Sequence, residues 1–420
     1  MTGAEPPIDV VIAGAGMVGA TLALGLARGG LKVVLIDPAP FEVQTAPTYD
    51  GRASAISLAA FRQWRALGAE PFLAPHALPI RQILVTDGRS PGASARPAGG
   101  AFLRFDPAEI AGAQGDEPLG FMIENRHIRA GLARAIEAAG IEVLAPARVV
   151  SATAGVGAVA VGLEDGRTIS APLLVAADGK GSRVRRLAGI DTFGWGYRQV
   201  GVVATVACER DHQGVAYEHF LPAGPFAILP LTGRRASLVW TEKRRTAAAL
   251  EQARGEIFEA HLRRRFGPFL GAVKVQGPRF FHPLFLQLAH QATAARTVLV
   301  GDAAHSIHPI AGQGLNMGLK DVAALAQVLT QAVRLGEDLG GPLVLERYAR
   351  WRSLDNVGVA LATDLFNRLF SNDAPALRLG RDLAMRAVNG FGPARRLFMR
   401  EAGGTLGDLP PLLRGEAPGA

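Results

Sequence analysis

Short apolar runs, each closed by a glycine or an aspartate, recur along the chain and predict strands that are buried on both faces. These runs occupy residues 8–13, 31–36, 173–177 and 298–300. A helical pattern lies between the first two runs and ends at Gly29 and Gly30. A strand, a helix and a second strand in this order form a β-α-β unit, so the pattern predicts an α/β domain.

The pattern changes between residues 199 and 241, where short strand candidates are separated by turns rich in glycine and proline. The candidates are residues 200–208, 215–221, 226–231 and 236–241. Strands joined by such short turns pair antiparallel, so we expect an inserted sheet that forms a separate layer. We expect a single helix at residues 246–266 and a helical C-terminal part from about residue 345.

The first β-α-β unit carries a glycine fingerprint. Gly14, Gly16 and Gly19 lie between the first strand and its helix, and Asp37 ends the second strand. The glycines let the backbone approach a pyrophosphate, whose charge the helix start neutralises. A carboxylate at Asp37 can hold a ribose diol and disfavours a 2′-phosphate. The unit predicts a Rossmann-like dinucleotide site, and the alternative is an ordinary tight α/β turn.

A second candidate site lies in residues 298–321, around which the rest of the chain is organised. Asp302 follows the glycine at which the buried strand ends, and Gln313 and Gly314 open a helical pattern. The carboxylate can hold a sugar-like hydroxyl, while the helix start offers unpaired N–H groups to an anion or an electron-rich ring. A bound flavin requires this combination.

Two further features extend the predicted cofactor site. Asp178 and Gly179 form another acidic-glycine turn after a buried strand, and we interpret them as a second wall of one long site. Arg52 lies in a Gly-Arg-Ala-Ser segment and can contact phosphate. The alternative is that Arg52 is an ordinary surface arginine.

The length of 420 residues predicts two closely joined domains, since it is long for one core. The return to a buried strand near residue 298 makes the first domain discontinuous. We expect the cofactor domain at residues 1–75, 120–190 and 290–345, the substrate domain at 76–119 and 191–289, and C-terminal helices with a tail at 346–420.

Composition narrows the function classes. Hydrophobic residues make up 49% and charged residues 20%, the balance of a folded protein. The net charge of +8 suits phosphorylated cofactors or anionic lipid, whereas nucleic acid is disfavoured because no basic run is interleaved with aromatics. We expect neither a signal peptide nor a spanning helix, and therefore a cytoplasmic location.

The C-terminal segment near residues 383–400 combines apolar positions with several arginines. Such a face can lie on an anionic membrane surface, which here would be the inner face of the inner membrane. The alternative is a solvated outer face of a packed helix. The arginines are Arg381, Arg386, Arg395, Arg396 and Arg400.

Metal and nucleophilic chemistry are disfavoured. Cys208 is the only cysteine, which excludes an internal disulfide and a Cys-rich metal site. His305 and His308 have a spacing that a metal can use, but they lack a companion cysteine, and we interpret them as structural. No Ser-His-Asp or Cys-His set is evident, so no catalytic side chain is assigned.

Three motifs, taken in order, resemble the single-component flavoprotein aromatic hydroxylases. They are GAGMVG at 14–19, DGKGSRVR at 178–185 and GDAAHSIHPIAGQGLN at 301–316. Further segments are similar to the ubiquinone-biosynthesis hydroxylases within that group. They are GRASAIS at 51–57, ENR at 124–126 and HPIAGQGLNMGLKD at 308–321. The resemblance covers most of the chain, from about residue 8 to about residue 405.

The resemblance implies an α/β fold with a Rossmann-like FAD-binding domain, an inserted antiparallel-sheet substrate domain and a helical C-terminus. It also implies a set of residues around FAD. Those at the ADP half are Gly14, Gly16, Gly19 and Asp37. Those along the pyrophosphate and ribityl chain are Arg52, Asn125 and Asp302, with Asp178 and Gly179 also serving a passing nicotinamide. Those against the flavin ring are Gln313 and Gly314.

The implied reaction is hydroxylation of a polyprenylated phenol by O2, with NAD(P)H as a transient co-substrate and contact with other quinone-biosynthesis proteins. An apolar wall for the ring is expected in the inserted sheet, although the same residues suit a plain core. They are Phe220, Leu221, Phe226, Ile228, Leu229 and Leu231. Two alternatives stay open, a hydroxylase of small soluble aromatics and a flavin-containing scaffold without catalysis.

Overall fold

Strands and helices alternate in the first part of the chain, and strands dominate its middle. The computed structural model describes residues 7–46, 50–86, 102–110, 117–308, 312–370, 385 and 387–419. The strands are β1 (Val10–Ala13), β2 (Val33–Ile36), β3 (Ala53–Ser57), β4 (Leu78–Pro79), β5 (Gln82–Thr86), β6 (Phe102–Phe105), β7 (Gly120–Glu124), β8 (Glu142–Leu144), β9 (Val149–Ala154), β10 (Val159–Leu163), β11 (Thr168–Ala171), β12 (Leu173–Ala176), β13 (Thr192–Cys208), β14 (Val215–Leu221), β15 (Gly224–Leu231), β16 (Arg235–Lys243), β17 (Val273–Ala289), β18 (Thr293–Ala294), β19 (Thr297–Leu299) and β20 (His305–Ser306). The helices are α1 (Met17–Arg28), α2 (Phe41–Gln44), α3 (Leu58–Ala66), α4 (Glu70–Leu73), α5 (Asn125–Ala138), α6 (Arg183–Leu187), α7 (Arg244–Gln252), α8 (Gly255–Phe266), α9 (Gln313–Arg334), α10 (Pro342–Phe370), α11 (Gly392–Ala402) and α12 (Pro411–Arg414).

The buried apolar runs form one six-stranded sheet in the order β18-β19-β12-β1-β2-β8. Its pairings are parallel except for the short β18–β19 pair. Alternate residues face opposite cores: Val10 and Ile12 pack with α1, α5 and α9, while Val11 and Ala13 pack against β9–β11. Both faces are therefore covered, as the uninterrupted apolar runs require, and the predicted α/β fold class is confirmed.

Three neighbouring strands, β19, β12 and β1, bring the predicted motif loops together. The strands run parallel, so their carboxyl ends meet at one edge of the sheet. The backbone joins them there, since the Ala177 N–H donates to the Ala13 carbonyl at 2.7 Å and the Val300 N–H to the Ala176 carbonyl at 3.0 Å. The loops that begin at Gly14, Asp178 and Gly301 consequently share the edge at which open α/β sheets bind ligands.

The inserted sheet has eight strands in the order β20-β17-β13-β16-β15-β14-β5-β6. It is antiparallel as predicted, except that β14 and β5 pair parallel. The long strand β17 was not predicted, because Gly277, Pro278 and Pro283 interrupt its pattern. The β13–β17 ladder accommodates this interruption by shifting register at two points.

The prediction of a single helix at residues 246–266 was wrong. The structure has two helices, α7 and α8, separated at Ala253 and Arg254. Gly255 is a weak helix former, and the Arg279 guanidinium donates to the Leu250 and Ala253 carbonyls at 3.3 and 3.0 Å. The carbonyls at the end of α7 thus find partners outside the helix, and both helices cover one face of the large sheet.

A buried carboxylate, Asp321 on α9, fixes the loop after β19. Its Oδ2 accepts from the Gly301 N–H at 3.0 Å and lies 2.6 Å from His305 Nε2. Its Oδ1 accepts from Arg352 Nε at 2.8 Å and from Asn356 Nδ2 at 3.3 Å, both on α10. One side chain therefore joins the loop to two helices.

The charges in this network support one another. Burial alone would raise the pKa of Asp321, but His305 and Arg352 outweigh it and hold that pKa well below its usual range. Burial alone would lower the pKa of His305, but the Asp321 carboxylate outweighs it and raises that pKa above its usual value. An Asp⁻ flanked by cations is thus the stable state of the network.

We expect Asp321→Asn to lower the free energy of unfolding by about 3–5 kcal/mol, because Arg352 stays buried without its charge partner. Urea or thermal unfolding at neutral pH measures the change. The matched control is Glu346→Gln in the exposed Arg350–Glu346 pair of α10, expected to cost less than about 1 kcal/mol. Because the folded-state pKa of Asp321 is depressed, the difference from wild type should be full at neutral pH and shrink as pH falls below the usual aspartate range. Equal losses in the two variants would contradict the assigned importance of Asp321.

Candidate active site

One cavity of about 1220 Å³ lies between the carboxyl edge of the parallel sheet and one face of the large sheet. It brings together seven of the eleven residues predicted for the cofactor site. These are Gly16, Arg52, Asn125, Gly179, Asp302, Gln313 and Gly314. The other four do not line the cavity, and all but Gly19, which lies in the first turn of α1, are loop residues. These are Gly14, Gly19, Asp37 and Asp178.

The glycine fingerprint combines a tight turn with an open cradle. Gly14 has φ +105°, and a side chain there would lie 2.3 Å from the Ala177 carbonyl oxygen. A side chain at Gly19 would lie 1.9 Å from the Gly14 carbonyl oxygen, so these two glycines permit close packing. Gly16 differs, because a Cβ there would meet no atom within 4 Å. The start of α1 therefore presents bare backbone to the cavity, which fits a pyrophosphate.

Asp37 supports the same loop from the end of β2. Its Oδ2 accepts from the Ala15 N–H at 2.7 Å and its Oδ1 from the Ala39 N–H at 2.8 Å. Burial raises its pKa, and the two backbone N–H groups oppose that rise. Each carboxylate oxygen keeps a further lone pair, so Asp37 can still accept from a ribose hydroxyl.

Asp302 lies in the short 3-10 helix Gly301–Ala303 and is exposed on the cavity wall. The surrounding protein still desolvates its carboxyl, which raises the pKa of Asp302. His305, Arg52 and Lys180 oppose this rise. Lys180 lies 3.8 Å over the Phe285 ring and lines the same cavity. The wall here thus offers an acceptor for hydroxyls beside two cations that suit phosphate.

Helix α9 begins at the same cavity, which Gly312, Gln313 and Gly314 line. Gly312 takes the left-handed conformation with φ 64°, and a Cβ at Gly314 would meet no atom within 4 Å. Asn316 holds the helix start, accepting from the Ser57 N–H at 3.0 Å and donating to the Ala55 carbonyl at 2.9 Å. A long helix therefore points its N-terminus into the cavity, where a flat anionic ring fits.

Asn125 and Arg52 meet at a carboxylate that the sequence did not single out. Asp50 accepts from Arg52 Nε at 2.9 Å, Arg129 Nη2 at 2.7 Å and Asn125 Nδ2 at 3.1 Å. Burial would raise the Asp50 pKa, but these donors hold it well below its usual range. Asn125 also accepts from Ser54 Oγ at 2.7 Å, so its amide braces β3 against α5. Arg129 lies one turn beyond Asn125 on α5, and this i, i+4 spacing was the available signal.

The large sheet supplies the apolar end of the cavity. Phe220 and Leu229 line it as predicted, whereas Phe226 and Ile228 face the opposite side, in the core under α7 and α8. Side chains alternate along a strand, so a continuous apolar run divides between the two faces. Leu221 packs against that core as well, so the predicted apolar wall is confirmed for Phe220 and Leu229 only.

The two histidines and the cysteine that were considered for metal or nucleophilic chemistry lie in buried, structural environments. His305 belongs to the Asp321 network, and buried His308 packs edge-on against Tyr197 with its pKa lowered to about 4 by burial. Burial raises the pKa of Cys208 to about 11, so little thiolate is present at neutral pH. Among the residues that the structure describes, no group of three His, Cys, Asp or Glu is placed to hold a metal ion.

Comparison with known proteins gives relatives over the whole length of the chain. The family described as "FAD binding domain" matches residues 7–354. Ubiquinone hydroxylase UbiL of Rhodospirillum rubrum is 47% identical over 416 residues, covering 98% of this chain and 94% of that protein. The 3-demethoxyubiquinol 3-hydroxylase of Escherichia coli is 35% identical over 401 residues, covering 94% and 98%.

A solved structure has the same fold. The p-nitrophenol 4-monooxygenase PnpA of Pseudomonas putida superposes with a TM-score of 0.77 and 19% identity, over 95% of this chain and 98% of that one. The bare glycine cradle, the accessible Asp302 and the α9 start fit the cofactor that the matched family binds. This chain therefore belongs to the FAD-dependent aromatic hydroxylases, within the group that contains the ubiquinone-biosynthesis hydroxylases.

Proposed function

We propose that this protein hydroxylates the ring of a polyprenylated phenol during ubiquinone biosynthesis, with O2 and NAD(P)H as co-substrates. The observation that carries the proposal is the single cavity that runs from the glycine loops to the apolar face of the large sheet. A greasy ring can thus lie in the same enclosure as the cofactor. Two relatives, a ubiquinone hydroxylase and a 3-demethoxyubiquinol 3-hydroxylase, support the substrate class.

The proposal assigns roles to the residues of the wall. The glycine loop with Asp37 holds the ADP half of FAD, and Arg52 lies along the pyrophosphate. Asp302 accepts from the ribityl hydroxyls, and Gln313 with Gly314 lies against the ring. Bound FAD supplies the redox chemistry, in which reduction by NAD(P)H and reaction with O2 provide the oxygen for the substrate.

The chain's own contribution is positioning and electrostatics. The N-terminus of α9 stabilises negative charge on the ring system through its unpaired N–H groups and dipole. The apolar side chains of the large sheet exclude water around the substrate. Asn125 acts through Asp50, by fixing the carboxylate that in turn orients Arg52. Asp178 accepts from the Arg183 and Val184 N–H groups at 2.7 and 3.2 Å, and so shapes the turn that Gly179 presents to the cavity.

The same proposal divides the chain as the sequence suggests. The cofactor domain comprises residues 1–75, 120–190 and 290–345. The substrate domain comprises residues 76–119 and 191–289, and the C-terminal helices and tail comprise residues 346–420. The pairing of β5 with β14, and of β6 with β5, in the large sheet supports placing residues 76–119 with the substrate part.

The C-terminal helix α11 is the proposed membrane contact. Phe391, Leu397 and Phe398 are 60%, 53% and 44% exposed, and Arg396 and Arg400 are exposed beside them. Phe398 also lines the cavity, so a lipid substrate can enter where this apolar surface meets the bilayer.

Three further observations bear on this contact. Arg395 instead pairs with Glu109, and Arg381 and Arg386 lie outside the described residues. Within the described residues no helix is both long and apolar enough to cross a bilayer. We propose that substrate access depends on surface contact or on other quinone-biosynthesis proteins.

Asp302→Ala is expected to weaken FAD binding about 10- to 100-fold, because the ribityl hydroxyls lose a charged acceptor. Flavin fluorescence titration measures the dissociation constant, and far-ultraviolet circular dichroism checks folding. The control is Asp408→Ala, at an exposed carboxylate of the tail. If FAD affinity is unchanged in Asp302→Ala, Asp302 does not bind the ribityl chain. If the wild-type protein takes up no flavin, the proposed cofactor site is refuted. Gly14 is a poorer test, since any side chain there overlaps the Ala177 backbone.

Arg396→Gln with Arg400→Gln is expected to weaken binding to phosphatidylglycerol vesicles about 30-fold, at about 1 kcal/mol for each arginine. Vesicle sedimentation measures it, and added salt should weaken wild-type binding because exposed charges are screened. Leu397→Ser should also weaken binding, whereas Leu335→Ser, which alters an exposed leucine after α9, should not. If the wild-type protein binds no vesicles at any salt concentration, α11 is a solvated helix and not a membrane contact.

A strain that lacks this protein is expected to stop making ubiquinone aerobically and to accumulate a less hydroxylated prenylphenol. Mass spectrometry of the quinone fraction identifies the missing hydroxyl. Wild-type protein should restore ubiquinone and the Asp302→Ala variant should restore less. Normal ubiquinone without an accumulated precursor, in a strain with no redundant hydroxylase, would instead favour a small soluble aromatic as the substrate.

A further inference from the structure

One acidic side chain lies among the described residues that strands β5, β6 and β13–β16 contribute to the cavity lining. Strands β5, β6 and β13–β16 contribute thirteen described lining residues, and Glu218 is the only carboxylate or cation among them. The others include Val85, Ala216, Phe220 and Ala227. A lone carboxyl in such a wall is costly, so it calls for a ligand that compensates it.

The neighbours of Glu218 offer it no compensation within the protein. Ala216 and Phe220 flank it on the same face of β14, and Val85 and Ala227 lie opposite it on the two adjoining strands. It makes no hydrogen bond or ion pair with any residue that the structure describes. Burial raises its pKa to about 8, so the carboxyl form predominates at neutral pH and the carboxylate form above about pH 8. Such a group can both donate to and accept from an oxygen substituent.

We propose that Glu218 hydrogen-bonds the ring hydroxyl of the substrate phenol, and that it selects neutral phenols against rings that carry a carboxylate. The inference rests on the proposed function and adds the group that orients the ring. An anchored hydroxyl leaves the apolar tail to pack along the sheet and fixes which ring carbon faces the cofactor.

The selection against ring carboxylates follows because the lining of these strands offers them no positively charged partner. A ring carboxylate in this part of the cavity would meet Glu218 and aliphatic or aromatic side chains, with no arginine or lysine on the described lining of these strands. Lys180, Arg52 and Arg129 line the cavity elsewhere, in the loop after β12, in the segment before β3 and on α5. A buried anion beside a carboxylate is destabilised both by desolvation and by repulsion.

The experiment uses the full-length, FAD-loaded protein with two probes that differ in one group, 2-geranylphenol and 3-geranyl-4-hydroxybenzoate. Dissociation constants, NAD(P)H oxidation and hydroxylated product are measured for wild type, Glu218→Leu and Glu218→Gln at about pH 8.5, above the pKa of about 8. Glu251→Gln on α7, an exposed carboxylate remote from the cavity lining, is the matched control.

We expect Glu218→Leu to bind the neutral phenol about tenfold more weakly and to oxidise NAD(P)H with less product, because the ring is no longer oriented. Glu218→Gln should retain most of the coupling of NAD(P)H oxidation to hydroxylated product, since its amide still hydrogen-bonds the phenol. Because the negative charge is lost, the preference for the neutral probe over the carboxylate probe should fall at least about tenfold. A side chain with only a structural role would change neither the coupling nor the preference.

The outcomes separate this inference from the function it rests on. Equal affinity, coupling and preference in wild type and in both Glu218 variants would overturn the role of Glu218 and leave the hydroxylase intact. Wild-type hydroxylation of both probes with equal efficiency would overturn the selection. Wild type that holds FAD and oxidises NAD(P)H but hydroxylates neither probe would overturn the proposed substrate class together with this role.

Discussion

The buried carboxylate of Asp321 is the constraint on which the rest of the site depends. The loop after β19 must leave the sheet at Gly301 and still present Asp302 to the cavity, so its backbone needs a partner that does not come from a strand. Asp321 provides that partner, and Arg352 and His305 keep the carboxylate charged in a place where burial alone would neutralise it. The cofactor wall is therefore held by electrostatics within the parallel-sheet core.

The parallel sheet fixes the geometry around this anchor. Adjacent strands β19, β12 and β1 end at one edge, so loops that are distant in sequence lie side by side. Bare backbone at Gly16 and Gly314 leaves room for a ligand where a side chain would fill the space. The cations Arg52 and Lys180 lie along this wall, whereas the described lining from β5, β6 and β13–β16 carries no charged side chain other than Glu218. The cavity thus has a charged end suited to a dinucleotide and a greasy end suited to a ring with a long tail.

The sequence by itself determined the parallel core, the order of the motifs and the inserted sheet, because these follow from local rules. A strand buried on both faces must be uniformly apolar, and a turn that approaches a pyrophosphate must be glycine. The resemblance of the motif at 301–316 and its neighbours gave the family, and the comparisons confirmed it. Positions such as Gly16 and Asp302 were therefore predictable as wall residues before any contact was known, although their individual roles stay predictions.

Only the tertiary structure decided which side chains share the cavity. Whether Phe220 or Phe226 faces the substrate depends on strand register, and an apolar run contains no sign of it, because both faces of that sheet are covered. The partners of Asp50 and Asp321 come from helices far along the chain, so local pattern could not assign them. Glu218 is an unremarkable residue in the sequence. Its significance comes from the burial and the missing partner that long-range packing imposes.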